Sequence, residues 1–482
     1  MMDKLKLKYM SVPVQVRAST WFLICSFLQK GISVITTPIF TRLLSTSEYG
    51  AFSVWNSWLG IITVFVSLNL FYGVYISGLV RYESDRKLFS ASVISLNFVS
   101  CIAWTLIYTF GRNTWNSLLK LSTAQMLSMM AMIWASSVFS FWSADQRVDF
   151  KYRALVAVTL LMSLAKPLVS ILLIKMSADK VTARIVGLCA VEFLFCLPIF
   201  VITVKKNGTL INTKYWKYAL SFNIPLIPHY LSQVVLSSSD RILIGQMAGE
   251  DKAGIYNLAY SLALVMTMFN TALIQTLEPW IYKKIKEEKP LEISKIAYIS
   301  FIGIAGINIV LIYLAPEIVS LFAPKAYSEA TNIIPPISMS VFFMYMYTFF
   351  AAFEFYYKKT KLISIATMAG ALINLVGNYV FIKIYGYQAA AYTTLFCYIL
   401  YAIFHYAFMS GLCINNFGYQ IYKTKLIVLI SFVFILFGFF GLLLYPYTLI
   451  RYLVVAVLVV LVFINRKNII RVYKSIMAAR KA

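Results

Sequence analysis

PIFTRLLSTSEYGAFSVWNSW, residues 38–58, closes one apolar stretch, turns through a short polar run and opens a second apolar stretch at Gly50. SSSDRILIGQMAGEDKAGIYNLAY, residues 237–260, has the same cadence: an arginine, aliphatic residues, a polar turn, a glycine, an aromatic and a new helix. Arg42 aligns with Arg241, and Gly50 with Gly254 after a few extra residues. The first copy ends the first apolar stretch of the chain; the second ends the seventh. An offset of six spans is even, so both copies run in the same direction, as a parallel internal repeat does. The repeat predicts two six-helix lobes, residues 1–204 and 205–411, followed by two further helices and a basic tail over 412–482.

Working outward from these turns gives fourteen apolar stretches: about 18–40, 50–77, 88–110, 124–144, 152–174, 183–204, 217–245, 254–280, 293–314, 332–356, 362–382, 388–411, 424–445 and 448–465. Hydrophobic residues make up 61% of the 482 and charged residues 13%, about half the charged share of a soluble protein. A hydrocarbon core of about 30 Å takes roughly 20 apolar residues per helix. Strict alternation is lacking, which excludes barrel strands. The expected fold is an all-α integral membrane protein of about fourteen transmembrane helices. The first stretch reads as helix 1, since it is too long for a cleavable signal peptide and lacks a small-residue cleavage site.

The net charge of +25 raises nucleic acid as a partner, but the distribution argues against it. About 30 of the 43 Lys and Arg fall in alternate loops, among them Arg81/Arg86/Lys87, Arg147/Lys151/Arg153, Lys205/Lys206/Lys214/Lys217 and the tail from Arg466 to Lys481. The positive-inside rule places those loops, and both termini, in the cytoplasm. There the bases face anionic lipid headgroups. The six cysteines are scattered, with no metal or disulfide spacing. No GxxxxGK[ST] or HExxH occurs, and no loop could house a nucleotide-binding domain. No cofactor, metal or enzymatic activity is expected. A chain made almost wholly of spans is read as a transporter driven by an ion gradient or the membrane potential.

TPIFTRLLSTSEYGAFSV (37–54) and IPLIPHYLSQVVLSSSDRILIGQMAGEDKAGIYNLAYSL (224–262) resemble the signatures of the bacterial polysaccharide and O-antigen flippases. These are the polysaccharide transporters of the multidrug/oligosaccharidyl-lipid/polysaccharide exporter superfamily. The resemblance implies movement of a polyprenyl-diphosphate-linked oligosaccharide from the inner to the outer leaflet of the bacterial plasma membrane. It also implies a place in O-antigen, capsule or exopolysaccharide assembly beside a glycan polymerase and glycosyltransferases. Alternative readings are a drug or organic-cation antiporter of the same superfamily and, from another class, a membrane polymerase. The first wants acidic cavities and the second a large outer loop, and neither is evident.

A diphosphate crossing hydrocarbon needs cations, and intramembrane charges are functional candidates by default. Lys30 lies near the middle of helix 1, twelve residues before Arg42; twelve before Arg241 lies His229. Lys30 is expected to hold the diphosphate and His229 to donate hydrogen bonds or titrate. Arg241, beside Asp240 near the outer end of helix 7, is expected at a gate or headgroup; the plainer reading is an arginine snorkelling outward. Lys166 and Glu192 lie at like depth on adjacent antiparallel helices, roughly 13 Å from the outer ends. They are expected either to neutralise each other or to let Glu192 take up H⁺ or Na⁺ and free Lys166 for substrate. Pro38 in helix 1 and Pro225 and Pro228 in helix 7 are hinge candidates, and Pro167, Pro198 and Pro279 mark further kinks.

Overall fold

The computed structural model describes residues 12–205 and 211–464. The basic residues Lys4, Lys6, Lys8 and Lys206, and the tail over 466–482, lie outside the described residues. No strand occurs among the described residues. Contacts divide the chain into two compact units, Met1–Ser238 and Ser239–Ala482.

The first unit holds α1 (Val14–Leu43), α2 (Thr46–Val66), α3 (Gly73–Arg81), α4 (Arg86–Phe110), α5 (Arg112–Leu119), α6 (Thr123–Val148), α7 (Tyr152–Met176), α8 (Lys180–Lys205) and α9 (Thr213–Asn223). A 3₁₀ turn, Ile224–Leu226, leads into α10 (Ile227–Met247), which runs on past the boundary at Ser238. The second unit continues with α11 (Glu250–Ala263), α12 (Met266–Lys286), α13 (Leu291–Tyr313), α14 (Ala315–Phe322), α15 (Ala330–Tyr356), α16 (Thr360–Tyr385), α17 (Ala389–Phe417), α18 (Thr424–Leu443) and α19 (Thr448–Ile464).

Among the described residues, twelve helical segments are long and apolar enough to cross a membrane, with α11 and α12 counted as one. The seventh apolar stretch is met by α9 and α10, and the fourteenth by the shorter α19. Three stretches that read as continuous are broken. The stretch at 50–77 stops at Val66 and restarts at Gly73; the one at 254–280 is interrupted at Leu264 and Val265; the one at 217–245 turns through Pro225. The two turns of the repeat are built differently. In the first, Ser45 accepts from the Glu48 N–H at 3.1 Å and the Glu48 carboxylate accepts from the Ser45 N–H at 2.7 Å, a reciprocal cap for α2. In the second, Gly249 takes φ +103°, open to glycine, and Glu250 and Asp251 fill the first turn of α11, where the helix dipole favours acids.

Helix faces sort by solvent. Leu161, Leu164, Leu168 and Leu172 are all exposed on α7 at helical spacing, a stripe suited to lipid. In the second unit α15 is central, with 83% of its apolar window buried beneath α11, α12, α13, α17 and α18. Helix ends pair as the up-and-down alternation requires. At one end of the first unit Lys180 meets Glu48 at 3.8 Å and Gln125 donates to Thr182 at 3.1 Å. At the other, Arg86 meets Asp149 at 2.8 Å and Tyr75 donates to Asp145. In the second unit Lys252 meets Glu329 at 3.0 Å at one end, and at the other Lys284 bridges Glu287 at 2.9 Å and Glu292 at 3.0 Å.

Candidate functional site

The break after α2 builds a polar recess in the first unit. Leu68 and Asn69 take positive φ, 51° and 47°, which ends the helix and frees its last carbonyls. Irregular backbone at membrane depth survives only where other groups satisfy it. Here three side chains do so. Ser100 donates to the Val66 carbonyl at 2.7 Å, Asn97 to that of Ser67 at 3.2 Å, and Asn223 to that of Leu68 at 2.7 Å. Asn97 and Ser100 come from α4 and Asn223 from the last residue of α9. The break thus ties α2, α4 and α9 together.

Beside it a cavity of about 410 Å³ opens between α2 and the first half of α10. Its polar lining includes Asn56, Thr63, Asn69, Gln233 and Ser237, with the rings of Tyr72 and Tyr230. Those two rings stack with centroids 5.7 Å apart. Gln233 lies one turn beyond His229, their Nε2 atoms 3.3 Å apart. Gly60 lets the helices approach, since a Cβ there would stand 3.2 Å from Val234 Cγ1. The volume is within the ~300–1,000 Å³ range of small-ligand pockets. Amides, hydroxyls and paired rings, with no carboxylate, lysine or arginine in the lining, suit a neutral, hydroxyl-rich ligand better than a bare anion.

The charged candidates sit elsewhere. Lys30 is exposed midway along α1 and makes no ion pair among the described residues. Lys166 on α7 forms an ion pair with the buried Glu192 on α8. Arg241 is buried, with its guanidinium 3.7 Å from Asp240 and 4.3 Å from the centroid of the Tyr260 ring. Arg42, its counterpart in the repeat, is exposed and donates to the Pro38 carbonyl at 2.9 Å. None of Lys30, Lys166 or Arg241 lines the cavity. Pro38 lies inside an unbroken α1, whereas Pro225 sits within the 3₁₀ turn before α10 and Pro228 in the first turn of α10. Among the described residues no three His, Cys, Asp or Glu gather to hold a metal.

Sequence reasoning searched the spans for charge and passed over the amides. Asn56, Asn69 and Gln233 carry the available signal, being strong hydrogen-bonding groups inside apolar stretches. Arg184 was passed over too. It is buried on α8 with its guanidinium 4.0 Å from the Phe40 ring centroid and 3.6 Å from that of Phe52, and so fastens α8 to the first turn of the repeat.

The sequence pattern of the family described as Polysaccharide biosynthesis protein matches residues 16–285, and that described as MatE matches residues 225–380. Protein 1 of the Lsg locus of Haemophilus influenzae (strain ATCC 51907 / DSM 11121 / KW20 / Rd) is 30% identical over 161 residues. That match spans 32% of this chain and 39% of the relative's length. Among solved structures, the lipid II flippase MurJ in an inward closed conformation superposes with a TM-score of 0.72 at 14% identity, over 92% of this chain and 99% of that one. A MATE protein in complex with MaL6 gives a TM-score of 0.57 at 12% identity, over 83% and 96%. At such identities the likeness is one of fold.

Proposed function

Since this chain belongs to the polysaccharide biosynthesis protein family, we propose that it is a flippase for a polyprenyl-diphosphate-linked oligosaccharide. It carries this substrate from the cytoplasmic to the outer leaflet of the bacterial inner membrane, for O-antigen, capsule or exopolysaccharide assembly. Both termini are cytoplasmic. The cycle is alternating access, powered by an ion gradient or the membrane potential, with lobes 1–204 and 205–411 as the moving parts and 412–482 appended. The observation that carries this reading is the cavity of Asn56, Thr63, Asn69, Gln233, Tyr72 and Tyr230. Sugars bind through hydroxyls to amides and through their apolar faces to aromatic rings.

Lys30 supplies the diphosphate contact in this scheme, with Arg241, Lys166 and His229 as further contacts. Glu192 and Asp240 balance the cations or take part in coupling, and Pro38, Pro225 and Pro228 are the hinges. The exposed position of Lys30 within a membrane-spanning helix supports its role, because an intramembrane ammonium is costly unless it faces water or an anion.

The test is reconstitution of the purified chain in liposomes that contain a labelled polyprenyl-diphosphate oligosaccharide. The rate at which the glycan becomes cleavable by an external glycosidase is measured. Gln233→Ala and Tyr72→Ala should slow transfer of the glycan, and Lys30→Ala should nearly abolish it. Transfer at the rate of protein-free liposomes, under every imposed gradient, refutes the proposal and moves the weight to export of organic cations.

A further inference from the structure

The second unit buries a pair of titratable groups that the scheme above leaves without a role. Glu354 on α15 is fully buried, and its Oε1 lies 2.7 Å from Nδ1 of His405 on α17, itself 2% exposed. Among the described residues His405 is the only ion-pair partner of Glu354. The other carboxyl oxygen, Oε2, is also buried and receives no hydrogen bond. An anion with one oxygen unsatisfied is expensive in an apolar interior, and a proton on that oxygen removes the charge.

The pair does not stand alone. Tyr347 stacks on the His405 ring at 5.4 Å between centroids, and Tyr401 lies at 6.0 Å. Tyr347 and Tyr401 are 5.5 Å apart, and Tyr398 is 6.2 Å from Tyr347 and 5.9 Å from Tyr401. Tyr398, Tyr401 and His405 recur on one face of α17 by helical spacing, and Tyr347 and Glu354 do the same on α15. Glu354 lies two residues before the end of α15.

The titratable neighbours of the pair come from several helices. From α15 comes Tyr347 and from α17 come Tyr401 and Tyr398. From α16 the Thr367 carbonyl accepts the Tyr401 hydroxyl at 3.0 Å. From α12, Glu278 accepts the Tyr282 hydroxyl at 2.7 Å, and the Tyr282 ring rests 5.7 Å from Tyr356, two residues beyond Glu354. From α13 and α18, no titratable group pairs with Glu354 or His405 among the described residues.

We propose that Glu354 and His405, packed against the rings of Tyr347 and Tyr401, form a proton-binding site by which the transport cycle is coupled to a proton gradient. This rests on the transport reading above and gives it a coupling ion and a location. In the unloaded pair, neutral His405 donates its Nδ1–H to the Glu354 carboxylate. Loading adds one proton drawn from water. It completes a carboxylic acid, protonated on Oε2, facing a neutral imidazole, one charge more positive than the unloaded pair. Release to the opposite side restores the starting state, with no redox partner and no bond changed other than O–H and N–H.

The decisive measurement needs no glycan. Infrared difference spectra of the full chain in lipid nanodiscs, taken on stepping the pH, should show a protonated-carboxyl band that grows on acidification. The band should be lost in Glu354→Gln and displaced in His405→Gln; the second variant decides if the first does not fold. Tyr401→Phe and Tyr347→Phe keep the rings and should keep the band. A full band in Glu354→Gln, or no band that grows on acidification of the wild type, overturns the site. In glycan-loaded liposomes an imposed proton gradient should accelerate the wild type and leave Glu354→Gln at the gradient-free rate; equal acceleration of both overturns the coupling. An intact band with no glycan movement in any variant refutes the flippase reading and leaves the proton site standing.

Discussion

Removing the carboxylate of Glu317 tests how the last helix is held. Arg451, in the first turn of α19, has a side chain only 3% exposed. Its guanidinium makes a forked pair with Glu317 on α14, at 2.7 and 2.8 Å, and donates to the Tyr313 carbonyl at 2.7 Å and to Thr448 at 3.3 Å. The fork holds the Glu317 carboxyl below the usual glutamate range. Stripping one partner from a buried pair costs about 3–5 kcal/mol, because the other is left buried and charged. Two features lower that figure. Arg451 keeps the Tyr313 carbonyl, and the Glu317 side chain is 34% exposed, so part of the fork already competes with water. We therefore expect Glu317→Ala to cost about 2–3 kcal/mol, the scale of hydrogen bonds to a charged group. Arg451→Met leaves a carboxylate that can turn to water, and should cost about 1 kcal/mol. The double variant Glu317→Ala/Arg451→Met should then be more stable than Glu317→Ala alone. The assay is unfolding in mixed micelles by denaturing detergent, followed by tryptophan fluorescence and analysed as a double-mutant cycle. Additive losses, or a larger loss from Arg451→Met than from Glu317→Ala, refute the reasoning.

Three more outcomes can be checked by the same unfolding assay. Gly78→Ala places a Cβ 2.0 Å from Cζ of the fully buried Phe89, whose ring is hemmed in by Tyr75, Tyr82 and Tyr215; the cost should be about 1–3 kcal/mol, and Phe89→Leu should recover part of it. Asn223→Ala withdraws the donor from the Leu68 carbonyl and should cost about 1–3 kcal/mol, whereas a loss as small as that of an exposed-surface alanine would show that water replaces it. The Tyr387 hydroxyl first, and the Lys252 ammonium second, hold the Glu329 carboxyl below its ordinary range. A carboxyl lowered on folding contributes fully above its unfolded value, about 4.3, and loses that contribution as the pH falls through the lower folded value. The stability gap between wild type and Glu329→Gln should therefore shrink on acidification from about pH 6 to pH 3, and a constant gap counts against the assignment.

What the sequence disclosed, and what it withheld, follows from the range of the interactions involved. The apolar stretches are local, and each met helix. The link between α7 and α8 is a few residues long, so counting depth from its two ends suffices to place Lys166 opposite Glu192. Pro225 and Pro228 announce the interruption before α10 because proline removes its own donor. The break after Val66 carries no proline. It exists because Asn97, Ser100 and Asn223, brought from α4 and α9, satisfy three carbonyls that a continuous helix would have used. No window of sequence around residue 67 contains those donors. The same reasoning covers Glu354 and His405. They are 51 positions apart, on α15 and α17 with α16 between them in the chain, so adjacency along the sequence pairs neither with the other. Glu354 also lies close enough to a helix end to pass for an interfacial acid, and only the depth at which α15 is buried removes it from water. Polar groups that a membrane protein keeps inside hydrocarbon are thus the least legible part of its sequence when their partners come from distant helices. In this chain those long-range pairings form the broken helix, the polar cavity beside it and the proposed proton site.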